Sequence, residues 1–250
     1  MVTATPHEVL ADSFTAYWRQ LSAYDDDLGI RGMLSTTSKI GDSRNCLAFN
    51  VPLRSTCCAE DGVATDLCRS VCYVWKMSEY KAVGPRAERN FIIAQRPDFF
   101  RLAAGAILAS GVPNFKIHAA GDFFSPEYVK AWHTVVQFCG DVAFWAYTRA
   151  WRRDDLLPEL RRLALLPNMQ LWFSFDRQTG VPPGIEGVKT AWLADNDGEF
   201  PPIRADLAFR ATRDCKSVPL RVLSGSTVCP HENGLPDMPS TCVACRICLP

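Results

Sequence analysis

The sequence predicts an α/β fold: a partial (βα) barrel of parallel strands carrying a cysteine-rich, metal- or cluster-binding C-terminal tail. Three observations carry this expectation. Apolar strand segments alternate with amphipathic helical segments through the middle of the chain, which is the pattern of βαβ units. Three of those strands end in a charged residue, Asp122, Arg149 and Asp176, and the three recur at one equal interval. Finally, the chain holds 11 cysteines, and all but Cys139 fall into a front group and a tail group.

Along the chain, residues 6–23 read as an amphipathic helix, with Leu10, Phe14, Tyr17, Trp18 and Leu21 at helical spacing. A short strand is expected over Cys46–Val51, and a helix from near Cys68 or Cys72 through Lys76–Tyr80. Another helix is expected over Pro97–Ser110, with proline at its start and Gly111 just past its end. Strands follow at Phe115–Asp122, Val142–Arg149 and Met169–Asp176. The helices between them, Ser125–Phe138 and Asp154–Leu166, each open on a capping residue, Ser125 and then Asp154 or Asp155. Val188–Ala194, Leu207–Thr212 and Leu220–Leu223 are weaker strand candidates. The expected division is residues 1–224 for the barrel with the front cysteines and 225–250 for the tail.

Buried parallel strands are usually apolar on both faces, and these are not. Taken alternately, Ile117, Phe144, Leu171, Phe173 and Phe175 suit a face under helices. The other face then carries His118, Asp122, Trp145, Tyr147, Arg149, Gln170, Trp172, Ser174 and Asp176. The polar groups nearest the strand ends would ring the mouth where βα enzymes hold substrates. Asp122, Arg149, Asp176 and His118 are the candidate catalytic groups, and Tyr147, Trp145, Trp172 and Ser174 the candidate substrate contacts. A buried ion network among Asp122, Arg149 and Asp176, and aromatic core filling, are the plainer readings of the same residues. Arg149, Arg152 and Arg153 form a basic knot suited to phosphate or carboxylate.

Lys+Arg and Asp+Glu are both 27, so the net charge of zero excludes a globally basic nucleic-acid coat. The N-terminus has neither the basic nor the apolar region of an export signal, and no apolar stretch is long enough to span a bilayer. A soluble cytoplasmic protein, with no membrane partner, is expected. In a reducing compartment grouped cysteines imply metal ligation or catalysis rather than disulfides.

The tail reads Cys229-Pro, then Cys242-x2-Cys245-x2-Cys248. Structural zinc usually takes two separated C-x2-C pairs. A C-x2-C-x2-C run with one remote Cys-Pro points instead to a [4Fe-4S] ligand set, with zinc as the alternative. The front group is Cys57-Cys58, then Cys68-x3-Cys72-Tyr73. Three thiolates there, with Cys57 or Cys58 as the third, would leave one iron open for S-adenosylmethionine. One or two [4Fe-4S] clusters are therefore expected. Cys46, Cys139 and Cys215 read as buried small hydrophobes.

Several blocks in order resemble the phage gene product 88 proteins. They are Thr36-Thr-Ser-Lys-Ile-Gly41, Cys57 through Cys72-Tyr73, Lys116-Ile-His-Ala-Ala-Gly-Asp-Phe-Phe-Ser125, Phe144-Trp-Ala-Tyr-Thr-Arg-Ala-Trp151, Ser174-Phe-Asp176 and the tail cysteines. The resemblance implies a phage or mobile-element origin, and a looser similarity links such proteins to radical-SAM barrels. The function expected is a radical-SAM-like iron–sulfur enzyme, served by a reductant protein and acting on a nucleic acid or nucleotide. The alternative is a non-enzymatic, cluster-stabilised nucleic-acid-binding or electron-transfer protein.

Overall fold

One sheet organises the molecule. Its strands are β1 (Leu34–Ser35), β2 (Cys46–Phe49), β3 (Asn114–Ile117), β4 (Ala143–Thr148), β5 (Met169–Phe175), β6 (Val188–Ala194), β7 (Leu207–Arg210) and β8 (Thr227–Val228). Their spatial order is their chain order. β1 pairs antiparallel with β2, and every later pairing is parallel. The computed structural model describes residues 5–24, 29–37, 39–72, 74–75, 80–194, 201–210, 227–230 and 241–250.

Parallel neighbours in chain order need a crossover after each strand. Right-handed crossovers running in one direction leave their helices on a single face. Those helices are α3 (Gly84–Ala94), α4 (Phe99–Ser110), α5 (Pro126–Phe138) and α6 (Leu157–Ala164), with α1 (Pro6–Tyr24) against α4. α2 (Asp66–Val71) follows the front cysteine loop, and the short α7 (Cys242–Cys245) lies in the tail. The helix-side core joins Phe49, Phe115, Ile117, Phe144, Leu171, Phe173 and Phe175 from the strands to Phe99, Tyr128 and Trp132 from the helices. Ile117, Phe144, Leu171, Phe173 and Phe175 thus lie on the face that their alternation indicates.

Local chemistry explains most boundaries. The Ser125 hydroxyl accepts a bond from Tyr128 N at 3.2 Å and caps α5. Gly111 ends α4 in the left-handed conformation. The expected cap at Asp154 or Asp155 does not form, and α6 begins later, after Leu156. Asp155 accepts from Arg153 Nε and Nη2, at 3.0 and 2.7 Å. α3 was not foreseen, although Pro85 at its start and buried Ala87, Asn90, Ile93 and Ala94 give it a helical stripe.

Of the helix expected from near Cys68 or Cys72, α2 ends before Cys72, whose ψ of 106° is extended, and the chain is helical again at Val74 and Trp75. Residues 76–79 of that expected helix lie outside the described residues, as do Cys215, the end of the Leu207–Thr212 strand and the Leu220–Leu223 candidate. β3 is shorter than expected: it stops at Ile117, and His118 turns the chain with a φ of +62°.

Candidate functional site: two thiol groups on one sheet

The front cysteines follow the C-terminal end of β2, the first strand of the parallel set. The Cys58 N–H donates to Leu53 O at 2.8 Å and the Ala64 N–H to Cys57 O at 2.7 Å, closing the loop on itself. Cys57 and Cys58 sulfurs lie 3.8 Å apart, and the Cys57 thiol also points at Leu53 O. Its bond to Cys58 and its burial push the Cys57 thiol well up. Cys58 is brought down to about 7, first by the hydrogen bond from Cys57 and then, against burial, by the neighbouring Arg69. Burial raises Cys68; the Arg149 guanidinium opposes that rise, while Cys72 and Cys58 add to it.

Thr65 ties this loop to the strand ends. Its hydroxyl caps α2 by accepting from Cys68 N at 3.1 Å, and it donates to Asp176 at 2.6 Å. Arg149 Nη1 donates to the same Asp176 oxygen at 2.5 Å and lies 3.4 Å from the Thr65 hydroxyl. The Leu67 N–H donates to Gln178 at 2.9 Å, and Arg152 donates to Val63 O at 3.0 Å. A second link runs through Thr56, whose hydroxyl accepts from Asp122 N at 3.2 Å.

Asp122, Arg149 and Asp176 therefore meet. Asp122 accepts from Phe123 N at 2.8 Å, the Thr148 hydroxyl at 2.5 Å and Arg149 N at 2.8 Å. Asp176 accepts from Gln178 N at 2.8 Å besides Thr65 and Arg149. All three side chains are buried. Burial pushes the Asp122 carboxyl up to about 6, against the pull of those donors. At Asp176 burial works the same way, but the Arg149 charge and the Thr65 bond outweigh it and hold the carboxyl below its ordinary value. The geometry is that of a buried ion network joined to the front thiol loop.

His118 is not on the face where alternation puts it. Its turn reverses the strand parity, and its ring enters the helix-side core between Phe123, Tyr128 and Trp132. Nε2 and the Tyr128 hydroxyl lie 2.8 Å apart, and burial lowers the ring to about 3, which keeps it neutral. The basic knot is also committed internally. Arg149 pairs with Asp176, Arg152 holds Val63 O, and Arg153 holds Asp155 and Phe124 O.

Trp145, Tyr147, Gln170, Trp172 and Ser174 do share the face away from the helices, as the register of β3, β4 and β5 requires. That face is covered by the tail. Cys248 and Leu249 are buried with Ile40, Cys46, Ala48, Trp145, Trp172 and Cys229, and Cys242 and Val243 pack around them. The Cys242 N–H donates to Lys39 O at 2.8 Å, which brings in the Thr36–Gly41 segment. Tyr147 donates its hydroxyl to Cys248 sulfur at 2.9 Å, and Trp172 Nε1 donates to Cys248 O at 3.1 Å. Ser174 is half-buried at the strand end, and its carbonyl accepts from Trp151 Nε1 at 3.0 Å. Trp145 and Trp172 are sealed and offer no open stacking surface.

The ten described cysteines are free thiols. Among the described residues no three His, Cys, Asp or Glu side chains converge on a position for a single metal ion. Beside the front loop lies an open polar cleft of about 270 Å³, lined by Thr65, Asp66, Arg69, Arg152 and Gln178. A second cleft of about 230 Å³ runs between Thr36, Asn50, Arg54, Trp75 and Arg86. Thr65, Thr56 and Arg69 escaped the sequence reading, which also gave Lys116 no role of its own, while Cys46 is buried as expected. Only Thr65 carried a signal, as a capping threonine directly before an acidic first turn.

No helix among the described residues is long and apolar enough to cross a membrane. No solved structure matches the chain significantly. It is 30% identical over 205 residues to the Gene 88 protein of Mycobacterium phage L5, covering 74% of this chain and 76% of that one. To the Gene 88 protein of Mycobacterium phage D29 it is 34% identical over 157 residues, covering 55% of this chain and 64% of that one. The family model described as Gene product 88 matches residues 21–249, nearly the whole sheet and both thiol groups, so the chain belongs to that family.

Proposed function

We propose that this protein is an iron–sulfur enzyme of radical-SAM-like type on a partial (βα) barrel, acting on a nucleic acid or nucleotide. The observation that carries the reading is the position of the front thiols. They leave the first parallel strand at its C-terminal end, and Thr65 couples their loop directly to the buried Arg149–Asp176 pair.

Soft thiols are the donor set that suits iron–sulfur ligation. Cys58, Cys68 and Cys72 would hold the front cluster. Cys57, whose sulfur lies 3.8 Å from both Leu53 O and the Cys58 sulfur, would be a neighbour of the ligand rather than a ligand itself. A cluster held by three thiolates keeps one iron open for S-adenosylmethionine and supplies the electron for its reductive cleavage. The remaining work belongs to the chain itself. Arg69 and Arg149 place positive charge beside Cys58 and Cys68, which favours the thiolate forms. Thr65 fixes the start of α2, and so the separation of Cys68 from Arg149. The polar cleft beside Arg69 and Arg152 gives an anionic ligand access to the loop. Cys229, Cys242, Cys245 and Cys248 would hold a second cluster against the concave face.

The test is anaerobic purification with iron and sulfide counts, followed by electron paramagnetic resonance of the reduced protein with and without S-adenosylmethionine. The reading expects two clusters, a spectral change on adding S-adenosylmethionine and release of 5′-deoxyadenosine. Two clusters with no such response would leave an electron-transfer or structural protein. Zinc without sulfide would remove the iron–sulfur premise. A Cys58→Ala protein should lose the front cluster and a Cys57→Ala protein keep it.

A further inference from the structure

The tail cysteines do not form their surroundings alone. The strand positions on the concave face bring Cys46, Ala48, Lys116, Trp145, Tyr147, Gln170, Trp172, Lys189 and Ala191 into register, and none of these is a carboxylate. Lysines are instead repeated there. Lys116 Nζ stands 5.6 Å from the Tyr147 ring centre, Lys189 Nζ 5.3 Å from Trp172 and Lys39 Nζ 5.8 Å from Phe209. Lys116 is only 9% exposed. A buried ammonium is costly unless an anion compensates it; its surroundings hold Cys46, Cys248 and Tyr147, with the neutral His118 ring as a further neighbour. Tyr147 meanwhile donates its hydroxyl to Cys248 sulfur at 2.9 Å. A nearby cation and a hydroxyl donor to sulfur are what an anionic thiolate-ligated centre requires of its surroundings.

We propose that the concave face is a built site for an anionic, thiolate-ligated iron–sulfur centre, in which Lys116 balances the charge and Tyr147 bonds the Cys248 sulfur. Both are positioning residues that act through the ligands. This deepens the functional reading above and rests on its tail cluster. Reduction by an external one-electron donor protein would add one electron to the centre and change no bond, so a nearby cation and a hydroxyl donor would favour the reduced form. Removing either lowers the reduction potential.

The experiment uses the full chain carrying Cys68→Ala and Cys72→Ala, so that the tail centre is observed alone, with potentials read by anaerobic redox titration. Lys116→Met is expected to reduce the ratio of reduced to oxidised centre at fixed potential about tenfold, a downward shift of about 59 mV for a one-electron couple. Tyr147→Phe should shift it in the same direction, and Lys116→Arg should restore the original value. An unchanged potential in both Lys116→Met and Tyr147→Phe, with iron and sulfide content retained, overturns this inference and leaves the enzyme reading standing. Absence of iron and sulfide from the parent protein overturns the tail cluster itself, and this inference with it. Should Lys116→Met load no centre, Tyr147→Phe decides the matter, since it keeps the ring and removes only the hydroxyl.

Discussion

Arg149 and Asp176 are the residues on which the front site depends most directly. The Asp176 side chain is fully buried and Arg149 nearly so, and one guanidinium nitrogen serves both Asp176 and the Thr65 cap. Arg149→Met therefore strands a buried carboxylate, at a cost of about 3–5 kcal/mol. The measurement is the urea midpoint, and a loss below 1 kcal/mol would contradict the pairing. Asp122 titrates in the opposite sense to Asp176. Its carboxyl reaches about 6 in the folded chain, against about 3.9 when unfolded. Between those values the folded state holds the extra proton, so the contribution of Asp122 is greatest below about pH 4. It declines as pH rises towards 6, by about 3 kcal/mol in all. The stability difference between the protein and its Asp122→Asn variant should shrink over that interval, and a constant difference would exclude the shift. Asp176, held low, contributes above the unfolded value and loses that contribution as pH falls through its folded one.

Among the elements, α1 and α4 show how closely two helices can approach. A Cβ added at Gly105 would lie 2.2 Å from Phe14 O and 2.8 Å from Trp18 Cβ. Alanine is the better helix former by about 1 kcal/mol, yet Gly105→Ala should lower the melting temperature, because α1 must move away. A rise would mean that α1 is not seated there. α2 is held by its cap more than by its length. Thr65→Val should loosen the Cys68 turn, read as faster alkylation of Cys68, while Thr65→Ser keeps the bonds and the slow rate. Strand positions and the alternation of Phe144, Leu171, Phe173 and Phe175 were legible because they depend only on neighbours in the chain. His118 was not, since a single residue with positive φ reversed the parity behind it.

For the whole molecule, the sheet order decides where everything else goes. With the described crossover helices on one side, the opposite face would meet water with Trp145 and Trp172 uncovered. Cys248 and Leu249 close that face instead. Leu249→Asp should open it, seen as increased binding of an apolar dye and red-shifted tryptophan emission, with far-ultraviolet dichroism retained. An unchanged emission spectrum would show that the tail does not seal the face in solution.

By itself the sequence determined the α/β class, the repeating strand–helix order, the two cysteine groups and the charged residues Arg149 and Asp176 just past two strand ends. These follow from periodicity, capping and spacing, which are properties of short stretches of chain. Only the tertiary structure decided what those groups meet. Asp122, Arg149 and Asp176 became a buried network rather than an open mouth, because the front loop folds over them through Thr56 and Thr65. Tyr147 turned to the Cys248 sulfur and Trp172 to the Cys248 carbonyl, and Lys116 joined the same surroundings, because a sheet with helices on one face must cover the other. Burial and pairing across more than a hundred positions, as between Thr65 and Asp176, leave no local mark in a sequence.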